Sequence, residues 1–211
     1  MPAARERTSD LGERYEEHHR ENRKGGDFVF VPERIPLFRS AIGTGKRVLD
    51  LGCRSGALTR HFLEGNSVVG LDVDPVALEK AAALGIEPVQ ADVESQLPFD
   101  GGSFDAVVAG ELLEHLQFPD ALVGEIRRVL RPGGVFVGSV PNAFRIQNRL
   151  RFARGLPPER DPTHLRMFRP RDLEELLEAF DDLRLAFVGG RYVRLSARLF
   201  AQDLVFSAVR V

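Results

Sequence analysis

A chain of 211 residues, 43% apolar and 28% charged, with 20 Gly and 13 Pro, fits one globular core and excludes collagen-like or low-complexity chains. Its 29 basic and 31 acidic residues leave a net charge of −2, which excludes a uniformly basic nucleic-acid binder. The single cysteine, Cys53, excludes an internal disulfide framework and a cysteine-rich zinc site.

The first residues lack an apolar signal core, and no run reaches the about 18 apolar residues of a membrane span, so a cytoplasmic location is expected. Residues 5–23, rich in Arg and Glu, read as a solvated helix in which His18 and His19 face water. With Tyr15 and the F-V-F-V-P run at 28–32 they form an expected N-terminal helical cap or lid over 1–44. From residue 47 strands and helices alternate. R-V-L-D-L (47–51) is the first strand and is followed by a helix near 56–64. S-V-V-G-L-D (67–72) comes next, then a helix from Pro75 to Leu84 and E-P-V-Q-A (87–91). F-D-A-V-V-A (104–109) is the fourth strand, and a helix from Ala121 to Leu130 ends at P-G-G. G-V-F-V-G-S-V (134–140) is the fifth. The irregular stretch 142–169 precedes a helix at 170–180 and strands near 183–189 and 203–210. This rhythm predicts an α/β domain over 45–211, with a doubly wound, Rossmann-like, mostly parallel seven-stranded sheet and helices on both faces. The 142–169 stretch follows the carboxyl end of a strand, where open α/β sheets bind ligands, and reads as a substrate-side insertion.

The turn D-L-G-C-R-S-G (50–56) lets the backbone bend sharply and approach a ligand. Asp72, ending the second strand, stands where a carboxylate can accept both hydroxyls of a ribose. A nicotinamide site requires G-x-G-x-x-G, whereas Arg54 occupies the middle glycine position here and Asp50 precedes the first glycine. A carboxylate there suits a cofactor that carries an ammonium group. The bland alternative is a tight βα turn with Asp72 as a helix cap. Cys53 reads as a small packed residue inside the turn, with no neighbouring histidine to activate it.

V-L-D-L-G-C-R-S-G, V-V-G-L-D-V-D-P, Q-A-D-V, S-F-D-A-V-V and L-R-P-G-G, in that order over about residues 45–185, resemble the motif series of the class I S-adenosylmethionine-dependent methyltransferases. The resemblance implies that Gly52 and Gly56 line the methionine moiety, with Asp50 near its amino group. It places Asp72 on the ribose and Asp92 and Val93 on the adenine. Cys53, Arg54, Val73 and Gly110 complete the implied cofactor-binding set. Arg54 departs from the family's usual glycine; at positive φ it is costly, and its guanidinium can instead pair with the cofactor carboxylate.

A second constellation follows the fourth strand. In A-G-E-L-L-E-H-L (109–116), helical geometry from 111 onward puts Glu111, Glu114 and His115 on one face. Two carboxylates and an imidazole are half of an octahedral site for Mg²⁺, Mn²⁺ or a related divalent ion. His164, in D-P-T-H-L-R-M-F, offers a fourth ligand. E-x-x-E-H with a later His resembles the metal-dependent subset of the superfamily, including ubiquinone-pathway catechol O-methyltransferases and the methyltransferases of small-RNA 3′ termini. That resemblance implies Glu111, Glu114, His115 and His164 as ligands of an ion that holds substrate hydroxyls. Two alternatives stand beside it: His115 or His164 as a metal-free general base, or a helix start and a loop anchor with no chemistry.

Residues 142–171 hold eight arginines against Glu159 and Asp161, a basic wall suited to phosphate, a nucleotide sugar, anionic lipid or RNA, or else a solvated face. Nucleic acid is not required, because no Trp or Tyr is interleaved for base stacking. The D-P-V-A-L-E-K-A-A-A-L-G-I-E-P-V stretch also resembles the methionine-biosynthesis W-type proteins, which leaves an accessory subunit without its own catalysis as a different class. The leading expectation is an S-adenosylmethionine-dependent methyltransferase that methylates a hydroxyl of a small or anionic acceptor with help from a divalent cation.

Overall fold

A computed structural model describes residues 31–158 and 163–211. The expected helix at 5–23, Tyr15, His18, His19 and Glu159, Arg160 and Asp161 of the basic stretch lie outside the described residues. Seven strands form one sheet: β1 (Arg47–Leu51), β2 (Ser67–Asp72), β3 (Glu87–Gln90), β4 (Phe104–Gly110), β5 (Leu130–Pro141), β6 (Asp181–Val188) and β7 (Asp203–Val209). Their order is β3-β2-β1-β4-β5-β7-β6. The first five run parallel, and β7 inserts antiparallel between β5 and β6.

The strands are apolar throughout because both faces are covered. Val48 packs with Phe38 and Ile42 of helix α1 (Ile35–Ile42) and with Leu78 and Ala81 of α2 (Pro75–Ala83). Its neighbours Leu49 and Leu51 point the other way, into a core shared with Leu122 and Ile126 of α3 (Pro119–Val129) and Leu173 of α5 (Pro170–Leu176). This period-two alternation makes the fold doubly wound. Helix α4 (Ile146–Ala153) follows β5, and the short α6 (Ala197–Phe200) lies between β6 and β7. The described part of 1–44 is thus a helix built into the sheet's own core, with Phe38 fully buried.

Two expected helices are absent among the described residues. After β1 the chain makes turns and one 3-10 turn at Thr59–His61 in place of a helix over 56–64. Gly56 at φ +80° breaks helical geometry, and Thr59 is spent on a hydrogen bond to Asp50. After β4, Glu111 adopts φ +55°, and only a 3-10 turn at Leu113–His115 follows. The left-handed residue turns the chain sharply, which an α-helix starting at 111 does not allow. Helix starts, by contrast, follow local chemistry. Asp74 caps α2 through Oδ1, which accepts from the amides of Val76 and Ala77 at 2.9 and 3.1 Å, with Pro75 in the first turn. The strand order reverses between β1 and β4, and the crevice beyond their carboxyl ends is where Asp50, Asp72 and Glu111 emerge.

Candidate active site

The turn after β1 is held by backbone bonds across to β2: Gly52 N and Cys53 N both donate to Leu71 O, at 2.8 and 3.2 Å. Gly52 takes φ +68°, and a Cβ there would stand 3.2 Å from Leu112 Cδ1. Bare backbone therefore faces the crevice at Gly52, with Leu112 of the next site beside it. Asp72 is buried; its Oδ2 accepts from Arg54 N at 2.8 Å and its Oδ1 from Asp74 N at 3.0 Å. One lone pair on each oxygen remains for a diol. Burial raises the Asp72 pKa, and the Asp74 and Arg54 amides oppose the rise. Arg54 has φ +50°, so the non-glycine residue does sit in the left-handed region, held by its amide bond to Asp72. The pair expected on the adenine side follows β3: Ala91 N donates to the Asp72 main-chain carbonyl at 3.1 Å, and Asp92 Oδ1 accepts from Glu94 N at 2.9 Å. Asp92 and Val93 are half-buried, their segment is tied to the main-chain carbonyl of Asp72 through Ala91, and Val73 lies between Asp72 and the cap Asp74.

Asp50 is buried and accepts from Thr59 Oγ1 at 2.6 Å. Burial pushes its pKa up to about 7, with Asp72 adding to the rise and Thr59 opposing it. Cys53 turns its sulfur into the core, where a Cβ added at Gly70 would lie 2.6 Å from it. Burial and the two nearby aspartates push the thiol far above its ordinary range, which disfavours the thiolate. Gly110 ends β4 beside Leu58, whose Cδ2 would lie 2.6 Å from a Cβ there.

The E-x-x-E-H run splits in two. Glu114, His115 and His164 come together, each offering a ligand atom within 4.8 Å of the others. Glu111 does not join them. Its left-handed backbone directs the carboxylate to Arg34 Nη1 at 3.0 Å and to the Ser139 hydroxyl, which donates at 2.7 Å. Of the four residues expected as ligands the described structure groups three and leaves Glu111 apart: the spacing of 111, 114 and 115 makes one face only on an α-helix, and this turn is not one. Arg34 also reaches Asp203 Oδ2 at 3.4 Å and Ser139 Oγ at 3.2 Å. Burial and the neighbouring Glu111 push Asp203 up to about 8, with Arg34 opposing. Arg34, Ser139 and Asp203 were not indicated by any local motif.

Glu114 is buried, and neither side-chain oxygen has a hydrogen-bond partner among the described residues. Burial and the Glu111 charge raise its pKa well above the ordinary carboxylate value. His164 Nε2 approaches Glu114 Oε1 to 3.9 Å, and the His115 and His164 rings meet edge to face at 4.7 Å. Thr163 Oγ1 lies 3.0 Å from His115 Nδ1. The main chain binds the two halves: Leu165 N and Arg166 N donate to Glu114 O at 2.8 and 3.1 Å. The Arg166 guanidinium donates to the carbonyls of Leu116 and Gln117. A buried carboxylate with neither oxygen hydrogen-bonded among the described residues, beside two imidazoles, is a donor set suited to a divalent cation.

Residues 18–181 match a family model described as a methyltransferase domain. A Mycolicibacterium smegmatis protein named a probable S-adenosylmethionine-dependent methyltransferase is 32% identical over 163 residues, covering 73% of this chain and 60% of that protein. A ubiquinone biosynthesis O-methyltransferase of Nitrosococcus oceani is 33% identical over 156 residues, covering 68% and 66%. The chain thus spans about two thirds or less of the length of these two relatives. A solved S-adenosylmethionine-dependent methyltransferase of Archaeoglobus fulgidus superposes with TM-score 0.69 at 20% identity, over 84% of this chain and 91% of that one. No helix among the described residues is long and apolar enough to cross a membrane. Sheet order, the glycine turn with its two aspartates, and the family match agree: the chain belongs to the class I S-adenosylmethionine-dependent methyltransferases.

Proposed function

We propose that the chain moves the methyl group of S-adenosylmethionine to a hydroxyl oxygen of a small or anionic acceptor, at a divalent cation held by Glu114, His115 and His164. The observation that carries this reading is Glu114, buried with neither oxygen hydrogen-bonded among the described residues and with a donor atom within 4.8 Å of those of two histidines. With Glu111 engaged by Arg34, the donors are one carboxylate and two imidazoles. That set favours a first-row ion such as Mn²⁺ over Mg²⁺, which prefers an all-oxygen shell. A divalent cation there supplies Lewis acidity that lowers the pKa of an acceptor hydroxyl.

The chain's own residues do the positioning. Gly52 leaves space for close approach of the methionine moiety, and the free lone pairs of Asp72 accept the ribose hydroxyls. Asp50, once ionised, favours a cationic amino group nearby. Asp92 and Val93 form the adenine side. Leu112 touches the space over Gly52 and immediately precedes the turn that carries Glu114 and His115. The donor and acceptor sites thus share a wall, and a fixed geometry between methyl carbon and acceptor oxygen is the main source of rate in such a transfer.

The Glu114–His164 approach supports a second reading, in which a histidine acts as general base without metal. Electron paramagnetic resonance of Mn²⁺ titrated into the protein separates the two. Binding should quench the free-ion signal, Glu114→Gln should abolish the quenching and Glu111→Gln should keep it. EDTA should stop methyl transfer to a catechol probe, and Mn²⁺ should restore it. Transfer that survives EDTA but is lost in His164→Ala would establish the histidine base instead.

A further inference from the structure

We propose that α4 and the turn after it form a surface that docks on an anionic lipid bilayer. In I-Q-N-R-L-R-F-A, Ile146, Leu150 and Ala153 fall on one side of the helix at the i, i+4, i+7 spacing. Asn148 lies on the opposite side, 2% exposed, and its Nδ2 donates to Ala143 O at 2.8 Å. The polar residue faces the protein, while of the apolar stripe Leu150 and Ala153 are exposed and Ile146 is half-buried, the reverse of an ordinary surface helix. Leu150 is 47% exposed, and Phe152, on another face of the helix, and Leu156, in the turn after it, are 52% and 47% exposed.

Among the described residues of this segment the charge is of one sign. Residues 142–158 contain Arg145, Arg149, Arg151 and Arg154 and no Asp or Glu. Arg149 and Arg154 border the stripe on either side by helical position. Arg149 Nε donates to Phe144 O and Arg151 Nε to Pro157 O, both at 2.8 Å. Carbonyl partners fix these guanidinium groups without neutralising them. An apolar centre flanked by long basic side chains matches a bilayer interface. The aliphatic groups reach below the headgroups while the guanidinium groups meet lipid phosphates.

Other occupants fit less well. Single-stranded RNA would satisfy the arginines but gives the Ile146–Leu150–Ala153 stripe nothing to bury against. A second copy across a two-fold axis would bury the stripe but set the same four arginines against each other. Because α4 follows directly on the carboxyl end of β5, the docked surface opens on the active-site side of the sheet, whatever chemistry that site performs.

The chain has no tryptophan, so Leu150→Trp is a unique reporter. Its emission should shift to the blue on mixed phosphatidylcholine–phosphatidylglycerol vesicles, not on phosphatidylcholine alone, and the shift should shrink with added salt. Val211→Trp is the control; its neighbour Arg210 pairs with Gly133 and Gly134 at the far end of the sheet, and it should not respond. The Leu150→Glu, Phe152→Glu double variant should lower co-sedimentation with the mixed vesicles at least about tenfold, with thermal unfolding unchanged. The proposal is overturned if no vesicle shifts the reporter, if the control shifts equally, or if the double variant sediments like the parent. It is overturned equally if the shift needs only single-stranded RNA or a higher protein concentration.

Discussion

Replacing Glu114 by methionine should stabilise the metal-free protein while ending its capacity to bind an ion. The carboxyl is 1% exposed, with neither oxygen hydrogen-bonded among the described residues, and its 3.9 Å approach to His164 is too long for a hydrogen bond. A buried unmet polar group costs about 1–3 kcal/mol, and methionine supplies similar length without it. At about 2–4 °C per kcal/mol for a chain of this size, the melting temperature in EDTA should rise by roughly 2–12 °C. The gap should depend on pH. Burial and Glu111 hold the folded carboxyl well above its ordinary 4.5, so the folded state keeps a proton that the unfolded chain has lost. That contribution to stability is complete below the unfolded value and disappears as pH rises through the folded one. The parent protein should therefore weaken toward alkaline pH and the variant should not. Scanning calorimetry in EDTA at acid and mildly alkaline pH reads both effects. Added Mn²⁺ should raise the parent alone, by mass action. A variant that melts below the parent in EDTA at alkaline pH would refute the reasoning, because it would mean the carboxylate is satisfied within the fold.

Asp203, pushed up to about 8 from an ordinary 3.8, makes the native state lose stability as pH climbs between those values; Asp203→Asn should flatten that part of a urea-midpoint profile. An unchanged slope would count against the Arg34–Glu111–Asp203 cluster. With Asp50 at about 7, affinity for S-adenosylhomocysteine should rise with pH and level off above that value, and Asp50→Asn should remove the dependence in calorimetric titrations. Gly52→Ala forces a side chain into φ +68° and against Leu112; a loss of about 1–2 kcal/mol in unfolding free energy is expected, with cofactor affinity falling further than stability. Equal losses would place Gly52 in the fold and not at the ligand.

The sheet was legible because its strands announce themselves. Runs such as V-L-D-L and A-V-V-A need burial on two faces, and proline or an aspartate cap marks where α2, α3 and α5 begin. The same local rules failed at 56–64 and at 111–116, where single residues in left-handed geometry override helical spacing. Glu111 shows the cost: counted along the chain it stands three from Glu114, yet tertiary pairing with Arg34 and Ser139 takes it elsewhere. Arg34 meets Ser139 and Asp203 across 105 and 169 residues, a separation at which spacing carries no information. His164 was found only because its residue type was scarce.

The two main-chain bonds from Leu165 and Arg166 to the Glu114 carbonyl have a consequence for how this protein can change over time. They join the segment that carries His164 to Glu114 through main-chain groups that every residue but proline possesses, so the joint survives any substitution at 165 or 166 that keeps the N–H. Folding itself brings the side chains of Glu114, His115 and His164 within 4.8 Å of one another. The stretch from Ala143 to Pro158 is thereby released from any duty to hold the triad. It can exchange its surface, basic or acidic, lipid-facing or solvated, and so acquire new acceptors around a chemical centre that stays as it is.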